Sequence, residues 1–343
     1  MTTGTSFEHV LLTGGAGFIG SAFARFLIEQ RPRTRLTIAD ALTYSGNMDN
    51  LADLMGEPRV RFVRADIRDA TAMRPLCAEA DAIVHMAAES HVDRSIADAQ
   101  PFVTTNVAGT QVLLDCWRHA HPPGGDRARF LHVSTDEVYG SLPLDRPDLR
   151  FTESTPLAPR SPYAASKAAS DMLALAAQHT YGIDVVVTRC SNNFGPRQFP
   201  EKVIPLFVTN LIRGRRVPLY GDGLNVRDWL HVEDHCEALL AVLERGRSGE
   251  VYNIGGNNER ANIDLTREIL RIMGAGEDMI ERVPDRLGHD RRYAIDASKI
   301  ERELAWRPTR SAWPDALERT VRWYQEHQDW WQRVLSGAYR AES

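Results

Sequence analysis

A doubly wound α/β fold built on a parallel sheet is what this sequence predicts, and three observations predict it. Through roughly the first half of the chain, short apolar runs alternate with longer amphipathic ones, the pattern of strands each followed by a helix. The first run passes directly into a glycine-rich turn, Thr13-Gly14-Gly15-Ala16-Gly17-Phe18-Ile19-Gly20, and then into a helix. The second run ends in a carboxylate, Asp40. In open sheets of this kind ligands bind beyond the carboxyl ends of the strands, so every polar residue that follows a strand becomes a candidate.

In chain order, Val10-Leu11-Leu12 is the first strand and Ser21 to Gln30 the first helix. The turn between them satisfies G-x-G-x-x-G in its proper context: glycines let backbone amides approach a pyrophosphate, and the helix amino terminus favours its charge. Arg35 to Ala39 is the second strand, and Asp40 stands where a carboxylate accepts the two ribose hydroxyls of an adenosine. Ala41 and Leu42 follow with no arginine placed for a 2′-phosphate, which favours NAD over NADP. Val60 to Val63 precedes Asp66-Ile67, a candidate adenine-edge contact, and Ala82 to His85 precedes Met86-Ala87-Ala88-Glu89-Ser90, where small residues let a cofactor lie against the backbone.

The next helix is expected over Pro101 to Ala120, with Val103, Val107, Val112, Leu113 and Cys116 on its apolar side. Phe130 to Val133 is then the strand that delivers Ser134-Thr135-Asp136-Glu137-Val138-Tyr139-Gly140. That stretch reads in two ways, as an active-site edge or as a helix cap, since Ser134, Thr135 and Asp136 all suit the N-cap position. Ser161-Pro162-Tyr163 opens a helix running to about Tyr181, and Tyr163 and Lys167, four apart, share one face of it. A nearby ammonium and a cationic nicotinamide would favour the phenolate, a usable base. Of 41 cationic residues only Lys167, Lys202 and Lys299 are lysine, which singles out those positions for a compact, rotatable charge. After the strand Asp184 to Thr188 the alternation breaks and Pro, Asn and Arg become frequent, marking a substrate-binding part. The tail, Ala312 to Ala338, carries Trp313, Trp323, Trp330 and Trp331 at helical spacing and reads as a packed helical layer.

Composition narrows the function classes. With 343 residues, 43% hydrophobic and 25% charged, the chain can bury a full core as one large or two intimate domains. A net charge of -5 with no concentrated basic stretch argues against nucleic acid or an anionic membrane as partner. Met1 to His9 is short and polar, unlike a signal or transit peptide, and no apolar run is long enough to span a bilayer. Cys77, Cys116, Cys190 and Cys236 form no C-x-x-C pair, which suits reduced thiols in a cytoplasm and predicts no metal site.

T-G-G-A-G-F-I-G, S-T-D-E-V-Y-G and the Tyr163/Lys167 pair together resemble the extended short-chain dehydrogenase/reductase superfamily, in particular its dTDP-glucose 4,6-dehydratases. The resemblance continues through A-A-E-S-H-V-D-R-S from Ala87, C-S-N-N-F-G-P from Cys190, F-P-E-K-V-I-P from Phe199, Y-G-D-G-L-N-V-R-D-W from Tyr220 and G-H-D-R-R-Y-A-I-D-A-S-K-I from Gly288. It implies a Rossmann-type NAD-binding domain over 1–189, with 229–258 returning to it, and a smaller nucleotide-sugar domain over 190–343. It implies cofactor contacts at Gly14, Gly17, Phe18, Ile19, Gly20, Asp40, Leu42, Thr43, Asp66, Ile67, Ala87, Ala88, Ser90, Thr105, Ser134, Tyr163, Lys167 and Asn193. Substrate contacts are implied at Ser90, Thr135, Asn192, Lys202, Val203, Pro218, Leu219, Tyr220, Arg227, Asn262, Asp285, Arg286 and His289. Arg227 is the candidate for the diphosphate, because its fork can hold two oxygens at once. Leu287 departs from the family pattern, which has proline there.

The same resemblance implies the chemistry. Tyr163, with Thr135 beside it, takes the proton of the sugar C4 hydroxyl as hydride passes to NAD. Glu137 then removes the acidified C5 hydrogen, Asp136 protonates the departing C6 hydroxyl, and the hydride returns to C6. Mutual repulsion would keep one of the two acids protonated. Three alternatives stand beside this one. A 4,6-dehydratase for another nucleotide hexose has the same machinery. A 4-epimerase shares the first step without needing Asp136 and Glu137. A nucleotide sensor keeps the fold without turnover. A homodimer packed through the helices starting near Pro101 and Pro162 is also implied.

Overall fold

The computed structural model describes residues 7–123 and 128–340, so most of the amino-terminal stretch Met1 to His9 lies outside the described residues. Twelve strands occur in it: β1 (His9–Thr13), β2 (Arg35–Asp40), β3 (Val60–Arg64), β4 (Ala82–His85), β5 (Arg129–Thr135), β6 (Asp184–Cys190), β7 (Asn192–Phe194), β8 (Val217–Tyr220), β9 (Val226–His231), β10 (Val251–Ile254), β11 (Glu259–Ala261) and β12 (Ile280–Val283). Seven of them make one sheet in the order β3-β2-β1-β4-β5-β6-β10, every neighbouring pair parallel. The order reverses between β1 and β4, which opens a crevice past their carboxyl ends.

Both faces of the sheet's interior are covered, so inner strands such as β1 and β4 read as unbroken apolar runs, while edge strand β3, Val-Arg-Phe-Val-Arg, has no buried residue. Val10 and Leu12 of β1 point to one face, against Phe23 and Leu27 of the helix Phe18–Gln30 and Leu239 and Leu243 of the helix Val232–Arg245. Leu11 points to the other, with Leu76, Leu113, Trp117 and Ala174 from the helices Ala70–Glu79, Thr110–Ala120 and Pro162–Tyr181. The remaining strands form two small sheets, β11-β9-β7 and β12-β8. These pack with the helices Val203–Ile212, Asn262–Met273, Asp315–Glu326 and Gln328–Ser336 around a third core that includes Phe194, Phe207, Trp229, Leu265, Leu317 and Trp331.

Two elements differ from the sequence expectation. The first helix starts at Phe18, not Ser21, so Phe18 and Ile19 sit in its first turn with their amides free of helical partners. The expected continuous helix from Pro101 to Ala120 is instead a short turn, Gln100–Phe102, then wide i→i+5 turns over Val103–Gly109, then regular helix from Thr110. Wide turns advance the helix face more slowly per residue, so the apolar stripe loses phase: Val103 is 50% exposed while Leu113, Leu114 and Trp117 are buried. The wide segment aims Asn106 inward, where its amide donates to the Glu89 carbonyl (2.9 Å) and to Ser166 Oγ (2.8 Å).

A buried polar chain stiffens the strand ends that matter. Asp171, fully buried, accepts from Arg189 Nε at 2.9 Å and faces His132 Nε2 at 3.2 Å. Arg189 Nη1 donates to the Tyr139 hydroxyl (2.9 Å), and that hydroxyl donates to Asn253 Oδ1 (2.7 Å). Helix 162–181, β5, β6, β10 and the turn after β5 are thereby tied together. Removing one partner leaves an uncompensated buried charge, so Asp171→Asn is expected to cost about 3–5 kcal/mol of stability. Urea unfolding checks this, with Asp171→Asn/Arg189→Met expected to recover most of the loss.

Candidate active site

Each strand of the crevice ends on a polar residue for a local reason. Thr135, the last residue of β5, is extended and accepts the Glu137 amide at 3.3 Å, capping a tight helical turn over Asp136–Tyr139 that Gly140 closes at a φ of +88°. The capping reading of this stretch is thus realised, and the cap is what turns Asp136 and Glu137 out of the strand and into the cleft. Ser161 accepts the Ala164 amide (3.1 Å) and Pro162 takes the first helical position, which starts the helix that carries Tyr163 and Lys167.

One cleft gathers these residues. Lining it are the glycine turn (Gly14, Gly17, Phe18, Ile19, Gly20), Asp40, Thr43, Asp66, Ile67, Ala87, Ala88, Ser90, Thr105, Ser134, Thr135, Asp136, Glu137, Tyr163, Lys167, Asn192, Asn193 and Lys202. Leu42 is outside it; its amide donates to Asp40 Oδ1 at 2.8 Å while its side chain packs on the core. Val203, Pro218, Leu219, Tyr220, Arg227, Asn262, Asp285, Arg286 and His289 do not line the cleft either. Most of these gather beside it: Arg286 lies over the Tyr220 ring (5.2 Å), His289 packs edge-on to the same ring and pairs with Asp285, and Arg227 lies over Tyr293 (4.3 Å). Leu219 is an exception, because alternation along β8 turns its side chain into the interior while Pro218 and Tyr220 stay half-exposed.

The cleft fits a dinucleotide. A Cβ at Gly14, whose φ is +74°, would lie 2.7 Å from the Ala87 amide, and one at Gly20 would strike the Gly14 carbonyl, so only glycine closes this turn. Asp40 accepts the Ala16 and Leu42 amides (2.9 and 2.8 Å), which leaves carboxylate lone pairs for a pair of hydroxyls, and no guanidinium is among the groups that shift it. Ser134 Oγ is buried with no hydrogen-bond partner among the described residues.

The two acids are not equivalent. Burial pushes the Asp136 carboxyl well above its ordinary value, and the Glu137 and Asp228 carboxylates push it further, with Arg227 opposing. Burial and the Asp290 carboxylate also raise Glu137, and there the rise persists against Lys202, Arg227 and Arg286, which all pull the other way. Desolvation, more than the mutual repulsion expected from the sequence, is thus the largest cause of the rise at Asp136. The Tyr163 phenol is pushed well above its ordinary value by burial and by Glu137, while Thr135 hydrogen-bonds to it and opposes the shift. Lys167 Nζ donates to the Val133 carbonyl at 2.9 Å, and its charge is not among the main influences on the phenol.

Tyr44, Asn50, Arg197, Phe199, Glu201 and Trp330 also line the cleft and were not singled out from the sequence. Glu201 stood in view beside Lys202 in the F-P-E-K run, and the Tyr44 hydroxyl donates to it at 3.1 Å. Trp330 carried no local signal, being one tryptophan of a tail that otherwise packs.

Comparison with known proteins agrees with this geometry. The family model described as GDP-mannose 4,6 dehydratase matches residues 11–313. A dTDP-glucose 4,6-dehydratase of Actinoplanes sp. is 54% identical over 94% of this chain and 99% of its own length, and one of Escherichia coli is 46% identical over 97% and 98%. Among solved structures, the dTDP-glucose 4,6-dehydratase DesIV of Streptomyces venezuelae, crystallised with NAD, superposes with a TM-score of 0.90 at 53% identity, over 95% of this chain and 99% of that one. A UDP-glucose 4-epimerase of Thermotoga maritima shares the fold at a TM-score of 0.83 but only 29% identity, covering 93% of this chain and 99% of its own. A glycine turn, a Tyr/Lys pair and two unlike acids in one cleft, together with full-length identity above half, place this chain in the dTDP-glucose 4,6-dehydratase family.

Proposed function

We propose that this chain is a lyase that converts dTDP-glucose to dTDP-4-keto-6-deoxyglucose with bound NAD. The observation that carries this reading is the unlike pair at the end of β5: burial pushes the Asp136 carboxyl well above its ordinary value, while at its neighbour Glu137 three cations oppose the rise. Two carboxyls driven apart in this way are an acid and a base waiting side by side. A 4-epimerase has no use for such a pair.

Bound NAD supplies a hydride acceptor for C4 that later returns the same hydride to C6. The protein's part is to place protons. Tyr163, in contact with Thr135, takes the C4 hydroxyl proton; Lys167, anchored on the Val133 carbonyl, stands one helical turn along from it. Glu137 then takes the proton at C5, made acidic by the neighbouring ketone, and Asp136 gives its proton to the C6 hydroxyl as water leaves. The cluster of Tyr220, Arg227, Arg286 and His289 beside the cleft supports a seat for the nucleoside diphosphate, with cations for phosphate and a ring for the base. In this division of labour, 1–189 with 229–258 holds the cofactor and the rest of 190–343 holds the nucleotide sugar. The exposed apolar side chains Val103 and Met172, on the two helices expected to pair, support a homodimer, and four buried cysteines without disulfides support a cytoplasmic setting.

Purified protein given dTDP-glucose is expected to form the 4-keto-6-deoxy sugar, identified by NMR, with no net reduction of NAD. Recovery of dTDP-galactose would replace this reading with the epimerase one.

A further inference from the structure

The end of the chain reaches back across the molecule to the cofactor side of the cleft. Four contacts join residues 330–340 to the loop 44–50, which supplies Tyr44, Ser45, Gly46, Asn47 and Asn50 to the cleft wall. Trp330 Nε1 donates to Asn50 Oδ1 at 3.0 Å, and Arg333 Nε pairs with Asp49 at 3.0 Å. The Tyr339 hydroxyl donates to the Tyr44 carbonyl, and Arg340 Nη2 donates to the same oxygen at 3.5 Å. Tyr339, nearly buried, also packs edge-on to Phe199, which in turn packs edge-on to Tyr44.

The first contact runs further than the loop. Asn50, itself buried, donates from Nδ2 to the Ala16 carbonyl at 2.9 Å, and the Asn47 amide donates to the same carbonyl at 3.1 Å. Ala16 lies in the glycine turn, and its amide is held by Asp40. An unbroken line of hydrogen bonds therefore leads from Trp330 through Asn50 to the backbone that would cradle the pyrophosphate. The strap has a fixed anchor: Trp331 is buried in the third core and donates from Nε1 to the Tyr324 carbonyl at 2.9 Å, while the Tyr324 hydroxyl donates to the Gln198 carbonyl at 2.8 Å.

We propose that residues 328–340 form a strap that holds the loop 44–50 and the glycine turn closed on the dinucleotide, with Trp330 as its positioning residue. The inference rests on the dehydratase reading and deepens it. In a reaction that borrows a hydride and returns it, loss of cofactor in mid-cycle strands a ketone, so retention of NAD has a value that fast exchange would forfeit.

The test compares full-length wild type with Tyr339→Phe, which keeps its ring and deletes one donor, and Trp330→Phe, which deletes one donor and replaces the indole with a smaller phenyl ring. NAD content after gel filtration and the NAD dissociation rate against excess unlabelled NAD are measured beside the thermal midpoint. Loss of one hydrogen bond that orders a cleft wall is expected to speed NAD release about three- to tenfold in each variant. The turnover number of Tyr339→Phe at saturating NAD should stay within about twofold of wild type, because Tyr339 does not line the cleft. Wild-type dissociation rates in both variants would overturn the strap while leaving the dehydratase reading intact. A wild-type protein that binds no NAD would overturn both.

Discussion

Glu137→Gln is expected to leave the first oxidation working and to stop water loss, lowering product formation by about a hundred- to ten-thousandfold. The expectation follows from placement: Glu137 is the acid at which Lys202, Arg227 and Arg286 oppose the upward push of burial, and an amide in its place cannot accept the C5 proton. Asp136→Asn should fail by a similar factor at a different moment, because the amide cannot supply the proton that the C6 hydroxyl needs on leaving. The two failures are distinguishable in deuterated water. Asp136→Asn should allow deuterium into C5 of recovered sugar while the C6 hydroxyl stays; Glu137→Gln should give recovered sugar with no label. Equal labelling in the two variants, or near wild-type elimination in either, would remove the division of labour between these acids.

Tyr163→Phe is expected to abolish the oxidation itself, again by about a hundred- to ten-thousandfold, seen as loss of the reduced-nicotinamide absorbance in a single turnover. The pH dependence has a definite sign. Burial and the Glu137 carboxylate raise the phenol above its ordinary value, so the fraction able to accept a proton grows with pH and the oxidation rate should rise toward alkaline pH. Glu137→Gln removes the neighbouring negative charge. The rising limb should therefore move to lower pH in that variant, although Glu137 takes no proton in this step. A limb that stays put would mean that the carboxylate does not act on the phenol at all.

Much of this was legible from residue order. Periodicity placed the strands β1 to β6 to within one or two residues, because inner strands such as β1 and β4, buried on both faces, leave continuous apolar runs, and edge strand β3 interleaves apolar and charged residues. Pro162 and Ser161 located the start of the Tyr163 helix, and Gly182, in the left-handed region, ends it where expected. The wide turns over Val103–Gly109 were not legible, since their sequence is ordinary helix and the deviation is set by what Asn106 and Gly109 meet. Nor was the inward turn of Leu219, which depends on a two-stranded register that apolar character alone does not reveal.

What the sequence determined by itself is the kind of sheet, the position of its phosphate-binding turn and the identity of the residues delivered to its carboxyl edge, because each is written locally in periodicity, glycine and capping chemistry. The tertiary structure alone decided how protons are shared among those residues and what closes over them. A carboxyl's proton depends on the water it has lost and on charges brought from β9 and from loops far along the chain. The contact of Trp330 with Asn50 spans 280 residues, a separation no local pattern encodes.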